Sequence, residues 1–156
     1  TEHYISEGEV KITKEGYKNS SSIIIKKNNL LISSRVSLGN ISINRIDIAI
    51  NQDATGIILD KSKASEEYLY WLLLEQMYRL TTISQGTSIQ GFIRKDLERL
   101  KIPLPPLEEQ QKIVSILSNV DEQINQHKNE KALLERIKKG LMQQLLTGQR
   151  RVKVGV

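Results

Sequence analysis

Two polar patches interrupt the apolar runs in the first third of the chain, and both carry side chains that can do recognition chemistry. Ser33, Ser34 and Arg35 open the stretch SSRVSLGN, and Asn51 and Gln52 stand in INQDATG a little further on. Hydroxyl, guanidinium and amide groups of this kind reach phosphate oxygens and base edges. The plainer alternative is that Arg35 makes a surface ion pair and Asn51 closes a turn. A third patch, SQGTSIQG at 84–91, combines Gly86 and Gly91, which permit close backbone approach, with Thr87, Ser88 and Gln90 as hydrogen-bond donors. Lys95 adds positive charge just beyond it; the alternative there is a simple connector.

Residues for catalysis are scarce. The sequence contains no Gly-Lys-Ser/Thr phosphate loop, no Gly-x-Gly-x-x-Gly and no Asn/Asp-Pro-Pro-aromatic methyltransferase motif. His3 and His127 are far apart in sequence. Asp60 and Lys61 in LDKSK are similar to a nuclease carboxylate–lysine pair, but no further acid is placed to share a metal. With no cysteine, a disulfide framework and a thiolate metal site are both excluded. The expectation is a protein that is not an enzyme and holds neither a metal nor a cofactor.

The 156 residues suffice for one domain plus an extended element, and 38% hydrophobic with 26% charged residues fits a folded chain. The net charge of +5 leans towards a nucleic-acid partner. It is unevenly placed: residues 1–106 hold 14 basic and 12 acidic side chains, residues 107–156 nine and six. The longest apolar run, YLYWLLL, is about a third of the roughly 20 residues of a membrane span, so no membrane partner is expected. The N-terminus lacks both signal-peptide features and an initiator Met, which predicts a cytoplasmic fragment or half-subunit.

The elements that must position the patches read as sheet first. GEVKITKEGYK alternates and then turns, SSIIIKKNNLLISS is two apolar runs about a turn that Asn28 and Asn29 can make, and GNISINRIDIAIN follows. Ile46, Ile48 and Ile50 share one face of a period-two run, and TGIILD is a further strand. Ser65 is a helix N-cap with Glu66 and Glu67 in the first turn, and Leu69, Leu72, Leu73, Met77 and Leu80 give a buried stripe ending near position 80. Tyr68, Tyr70, Trp71 and Tyr78 on that helix read as packing. A loop over TTISQGTSIQGF and a short helix over RKDLERL complete a domain at 1–105.

Pro105 and Pro106 followed by Glu108 and Glu109 then signal a helix start. A helix over 106–147 is on the order of 60 Å long. Ile113, Val120, His127, Leu134 and Leu141 form one heptad series, and Leu117, Ile124, Lys131, Lys138 and Leu145 the other. That is a coiled-coil seam with a polar middle. Gly148 stops the helix and a basic tail occupies 148–156.

At this point the chain resembles a family. IPLPPLEEQQKIVSIL, VDEQI and KKGLMQQLLTGQRRV look like the conserved C-terminal region of the type I restriction–modification specificity subunit. LLISSRVSLGNISI, INQD, YLYWLL and TSIQGFIRKDLERLKIPLPP fit the second part of its target recognition domain, so the resemblance runs from about Tyr4 to Val152. It implies an α+β fold: a small, mixed, β-rich recognition domain followed by a long C-terminal helix of coiled-coil type. It also implies a non-catalytic subunit that directs a DNA adenine methyltransferase and restriction complex to double-stranded DNA. Ser33, Ser34, Arg35, Asn51, Gln52, Thr87, Ser88, Gln90 and Lys95 would face the DNA, and S-adenosylmethionine would belong to the partner methylation subunit. In the family two such helices pack antiparallel and dock the methylation subunits. This chain has one helix and one recognition domain, itself lacking the usual opening strand, so a homodimer through Ile113, Leu117, Val120, Ile124, Leu134, Leu141 and Leu145 is expected. The competing reading is a coiled-coil assembly module that docks the methylation subunit without touching DNA.

Overall fold

The computed structural model describes residues 3–8, 10–33, 40–83, 94–153 and 155, and their side chains except those of 78–83 and 94–96. The chain divides into a unit spanning Thr1–Val114 and a second spanning Ser115–Val156.

The first unit orders its elements as β1 (Tyr4–Ile5), α1 (Lys14–Lys18), β2 (Ile23–Ile25), β3 (Leu30–Ser33), β4 (Ile41–Asn44), β5 (Ile48–Ile50), β6 (Ala54–Ile57), α2 (Glu66–Ile83) and α3 (Arg94–Arg99), and then the start of α4 (Leu107–Leu146). A four-stranded sheet has the order β1-β4-β3-β6, with β1 parallel to β4 and the other pairs antiparallel; β2 and β5 form a separate antiparallel pair. The architecture is α+β.

Alternation along the strands gives the larger sheet two faces. Leu30 pairs with Ile43 and Ile57, and Ile32 with Ile41, so these side chains share one face. They join Tyr68, Leu69, Leu73 and Met77 of α2 in a single buried cluster. Each fully buried Leu or Ile there stabilises the fold by about 1.5–3 kcal/mol. Leu72 packs at the edge of the cluster, while the Leu80 and Tyr78 side chains lie outside the described residues. Leu31, Ser42 and Gly56 form the other face, against which Ile25 of the small sheet is packed.

That contact explains Gly56. A Cβ at this position would lie 2.4 Å from Ile25 Cδ1 and 2.7 Å from its Cγ1, closer than carbon atoms pack. Gly56→Ala is expected to cost about 1–3 kcal/mol in urea unfolding, the usual penalty of overpacking. Ile25→Ala in the same chain should recover part of it, because the two substitutions share one volume. Simple additivity of the two losses would refute this account.

Several local expectations shift. The stretch GEVKITKEGYK does not continue as a strand: residues 14–18 are helical, because Thr13 Oγ1 accepts from the Gly16 N–H at 3.0 Å and Lys18 sits at the last turn. The two apolar runs of SSIIIKKNNLLISS enter different sheets, with Asn28 at φ 61° making the turn between them. β5 begins at Ile48, and Ile46 is exposed instead of sharing its buried face. α2 runs to Ile83, past the predicted end near 80. Its N-cap is as expected, the Ser65 hydroxyl accepting from the Tyr68 N–H at 3.1 Å.

Two fully buried amides hold the unit together. Asn44 Oδ1 accepts from the Asn29 N–H at 2.9 Å, and Asn44 Nδ2 donates to the carbonyls of Ile25, Lys26 and Ile46 at 3.2, 2.8 and 2.8 Å. Gln110, in the first turns of α4, donates through Nε2 to the carbonyls of Lys63 and Pro105 at 2.7 and 2.8 Å, and accepts from the Ser65 N–H at 3.0 Å. Ile113 and Val114 pack against the core cluster of the same unit. Ile113, expected in the helix seam, is therefore engaged with its own domain.

In the second unit α4 continues to Leu146, and Gly148 at φ 75° ends it, its N–H donating to the Leu145 carbonyl at 3.3 Å.

Candidate nucleic-acid interface

The space beside the Ile25–Gly56 contact opens into a groove of about 960 Å³ between the two sheets. β3 contributes Leu31, Ile32 and Ser33; the start of β4 contributes Asn40 and Ser42; β5 and its exit contribute Ile48, Ile50 and Asn51. Lys11 reaches it from the segment ahead of α1, where Lys14 and Lys18 are also exposed. Hydroxyls, amides and one ammonium thus lie on an apolar floor. Such a surface can hydrogen-bond base edges or phosphate oxygens.

The fold brings Ser33 and Asn51 together although 18 positions separate them: both line this groove. Asn51 also closes the turn into β6, with Oδ1 accepting from the Asp53 N–H at 3.0 Å. Gln52 is exposed on that turn and does not line the groove. Ser34 and Arg35 lie outside the described residues, as do Thr87, Ser88 and Gln90. Lys95 falls on α3, with its side chain outside the described residues.

Asp60 serves its own turn, accepting from the Ser62 hydroxyl at 2.6 Å and pairing with Lys63 at 3.2 Å. Among the described residues no group of three or more His, Asp or Glu side chains could hold a metal.

A second polar cluster fastens β1 to the start of α2. Glu67 accepts from Tyr4 at 3.0 Å and from Arg45 Nη2 at 2.6 Å, and its Oε2 lies 3.0 Å from His3 Nε2. Arg45 covers the Tyr4 ring at 4.3 Å, and His3 is stacked between Tyr4 and Tyr70 at centroid distances of 4.2 and 3.8 Å. Burial opposes ionisation of Glu67, but the His3 and Tyr4 hydrogen bonds and the charges of His3 and Arg45 together hold its carboxyl below the ordinary value of 4.5. A depressed folded-state value means stability that is present above the unfolded pKa and lost as pH falls through the folded one. Glu67→Gln should therefore lower stability near neutrality and flatten its decline below about pH 4.5. Urea midpoints across that range would expose an unchanged acid limb, which would contradict this role.

Residues 2–136 match the type I restriction modification DNA specificity domain. The chain belongs to that family.

Two specificity subunits of type I restriction enzymes from Methanocaldococcus jannaschii illustrate the relationship. One (MjaIX) is 35% identical over 136 residues, covering 86% of this chain and 31% of its own length. Another (MjaVIII) is 31% identical over 137 residues, with coverages of 86% and 32%. The chain thus spans about a third of the length of these relatives. The fold is shared with the crystal structure of the HsdS subunit from Thermoanaerobacter tengcongensis, at TM-score 0.60 and 24% identity over 78% of this chain and 30% of that one. It is also shared with the type I S subunit from M. genitalium, at TM-score 0.57 and 18% identity over 89% and 36%.

Within this specificity-domain chain, reasoning from sequence passed over Lys11, Asn40 and Ser42. Asn40 follows Gly39 directly and so stands at a strand start, which was a usable signal. Ser42 alternates with Ile41 and Ile43 and had to face away from them. Nothing in the local pattern singles out Lys11. No helix among the described residues is long and apolar enough to cross a membrane.

Proposed function

We propose that this chain acts as the DNA-recognition part of a type I restriction–modification system, working in the cytoplasm without catalysis of its own. The observation that carries this is the reach of the specificity-domain match, residues 2–136, which includes every residue lining the groove. The globular unit would read one half of a bipartite site in double-stranded DNA. Ser33, Asn40 and Asn51 are placed for base or phosphate contacts, with Lys11, Lys14 and Lys18 neutralising phosphates. α4 would pair with a second copy and dock the methylation subunit, which would bind S-adenosylmethionine; a restriction subunit would join the same complex.

The test is to co-express the chain with its methylation subunit and map modified adenines across a genome. Methylation confined to one bipartite motif is expected, and Asn51→Ala with Lys11→Ala should weaken it by an order of magnitude or more. Complex formation without any motif-specific methylation or retention on DNA at modest salt would instead leave only the assembly role for α4.

A further inference from the structure

The free face of α4 carries a pattern that a second copy of the same helix matches in one direction and one register. From Leu117 the seam runs Leu117, Val120, Ile124, His127, Lys131, Leu134, Lys138, Leu141, Leu145. Its apolar members are between 38% and 57% exposed, so the stripe is uncovered in the single chain. The order is nearly a mirror about the level of Asn129: apolar side chains lie outside, His127 and Lys131 at the centre, and only Val120 and Lys138 break the symmetry.

We propose that two copies pair antiparallel through α4 about a two-fold axis at the level of Asn129. Leu117 then meets the partner's Leu141, Ile124 the partner's Leu134, and His127 the partner's Lys131. The inference rests on the reading of α4 as a pairing element and adds direction and register to it.

Three observations select this arrangement. In a parallel pair each seam residue meets its own copy, setting Lys131 on Lys131 and Lys138 on Lys138 across an apolar seam. Antiparallel pairing instead lays the Lys138 stem over the partner's Val120, leaving the ammonium free to reach water. Second, residues 107–126 hold four acidic and one basic side chain, net −3, whereas 127–146 hold five basic and two acidic, net +3. Reversing the partner sets these opposite charges side by side. Third, moving the partner by one heptad brings Ile124 against His127, or Lys131 against Leu134, and loses matched apolar layers either way.

The polar centre fixes the register at some cost in stability. Its charges do not stand alone: on the same helix Glu130 Oε2 lies 3.5 Å from His127 Nδ1, and Glu135 Oε1 lies 3.9 Å from Lys131 Nζ.

The chain has no cysteine, so introduced thiols report without background. Ile124→Cys and Leu134→Cys are made separately in the full chain; both positions are exposed and should not disturb folding. Under mild oxidation a mixture of the two variants should give a disulfide-linked dimer, and neither should cross-link alone. Cross-linking of Ile124→Cys with itself would establish a parallel pair and overturn the proposal. So would cross-linking with Leu141→Cys in place of Leu134→Cys, or a dimer by light scattering that no combination traps. A monomer by light scattering across a wide concentration range would remove the pairing role of α4 itself, a separate failure from a wrong register. Replacing both His127 and Lys131 with leucine should tighten the dimer while letting Ile124→Cys cross-link to Leu141→Cys as well as Leu134→Cys. Unchanged selectivity would show that the central layer does not set the register.

Discussion

Asn44→Leu is expected to remove on the order of 4 kcal/mol from the globular unit, enough to leave it near the edge of folding. The side chain is fully buried and its amide answers one N–H and three carbonyls, from Asn29, Ile25, Lys26 and Ile46. Leucine fills the volume and satisfies none of them. Each stranded backbone group costs about 1–3 kcal/mol, and the stranded groups belong to three different chain segments. Asn44→Asp should be no better, since it keeps the acceptor but sets a carboxylate against carbonyl oxygens. The single tryptophan, Trp71, packs edge-on against Tyr70 at 5.3 Å and reports the transition by fluorescence. A loss below about 1 kcal/mol in urea would show that water can replace the amide.

Gln110→Leu should cost about 3 kcal/mol through the same physics, with a different signature. Its amide joins the start of α4 to the N-cap region of α2, where the Ser65 N–H and the Lys63 carbonyl would lose their partner. Helical content over the rest of α4 should persist in circular dichroism while the Trp71 transition moves to lower urea. Gln110→Glu adds a check on sign: an ionised carboxylate would face the carbonyls of Lys63 and Pro105, whereas the protonated acid can donate to one of them. That variant should therefore gain stability relative to the parent as pH falls towards 4. A pH-independent difference between the two would mean that the carboxyl escapes to solvent.

These two amides also mark where reading the chain locally stopped working. Ser65, Glu66 and Glu67 announced α2, and Pro105 to Glu109 announced α4, because caps and dipole partners act within one turn of the residue that carries them. The inward faces of β3 and β4 followed from alternation. Partners did not: alternation sets which side a residue faces and says nothing of which strand lies beside it, so the separation of β2 and β5 from the larger sheet was illegible. Gln110 sits among polar neighbours at a helix start and reads as solvated; only carbonyls arriving from positions 63 and 105 make it a buried residue. The candidate groove has the same character. Ser33 and Asn51 each looked like strand-end punctuation, and their shared wall exists because two sheets meet over Gly56.

The pairing of β2 with β5 has a kinetic consequence. It is a two-stranded ribbon of three residues a side, and its Ile23 and Ile24 are substantially exposed. Ribbons of that size do not persist alone in water and borrow their order from what they lie on. Ile25 against Gly56 is the contact that lends it here. The ribbon is thus the part of the unit that opens first, with amide exchange at Ile48 and Ile50 outpacing that at Leu30 and Ile43. Since Ile48 to Asn51 line the groove, one bank breathes while the other, on β3 and β4, stays fixed. A recognition surface built this way can adjust its width to the strand it meets without disturbing the helix that holds the domain in place.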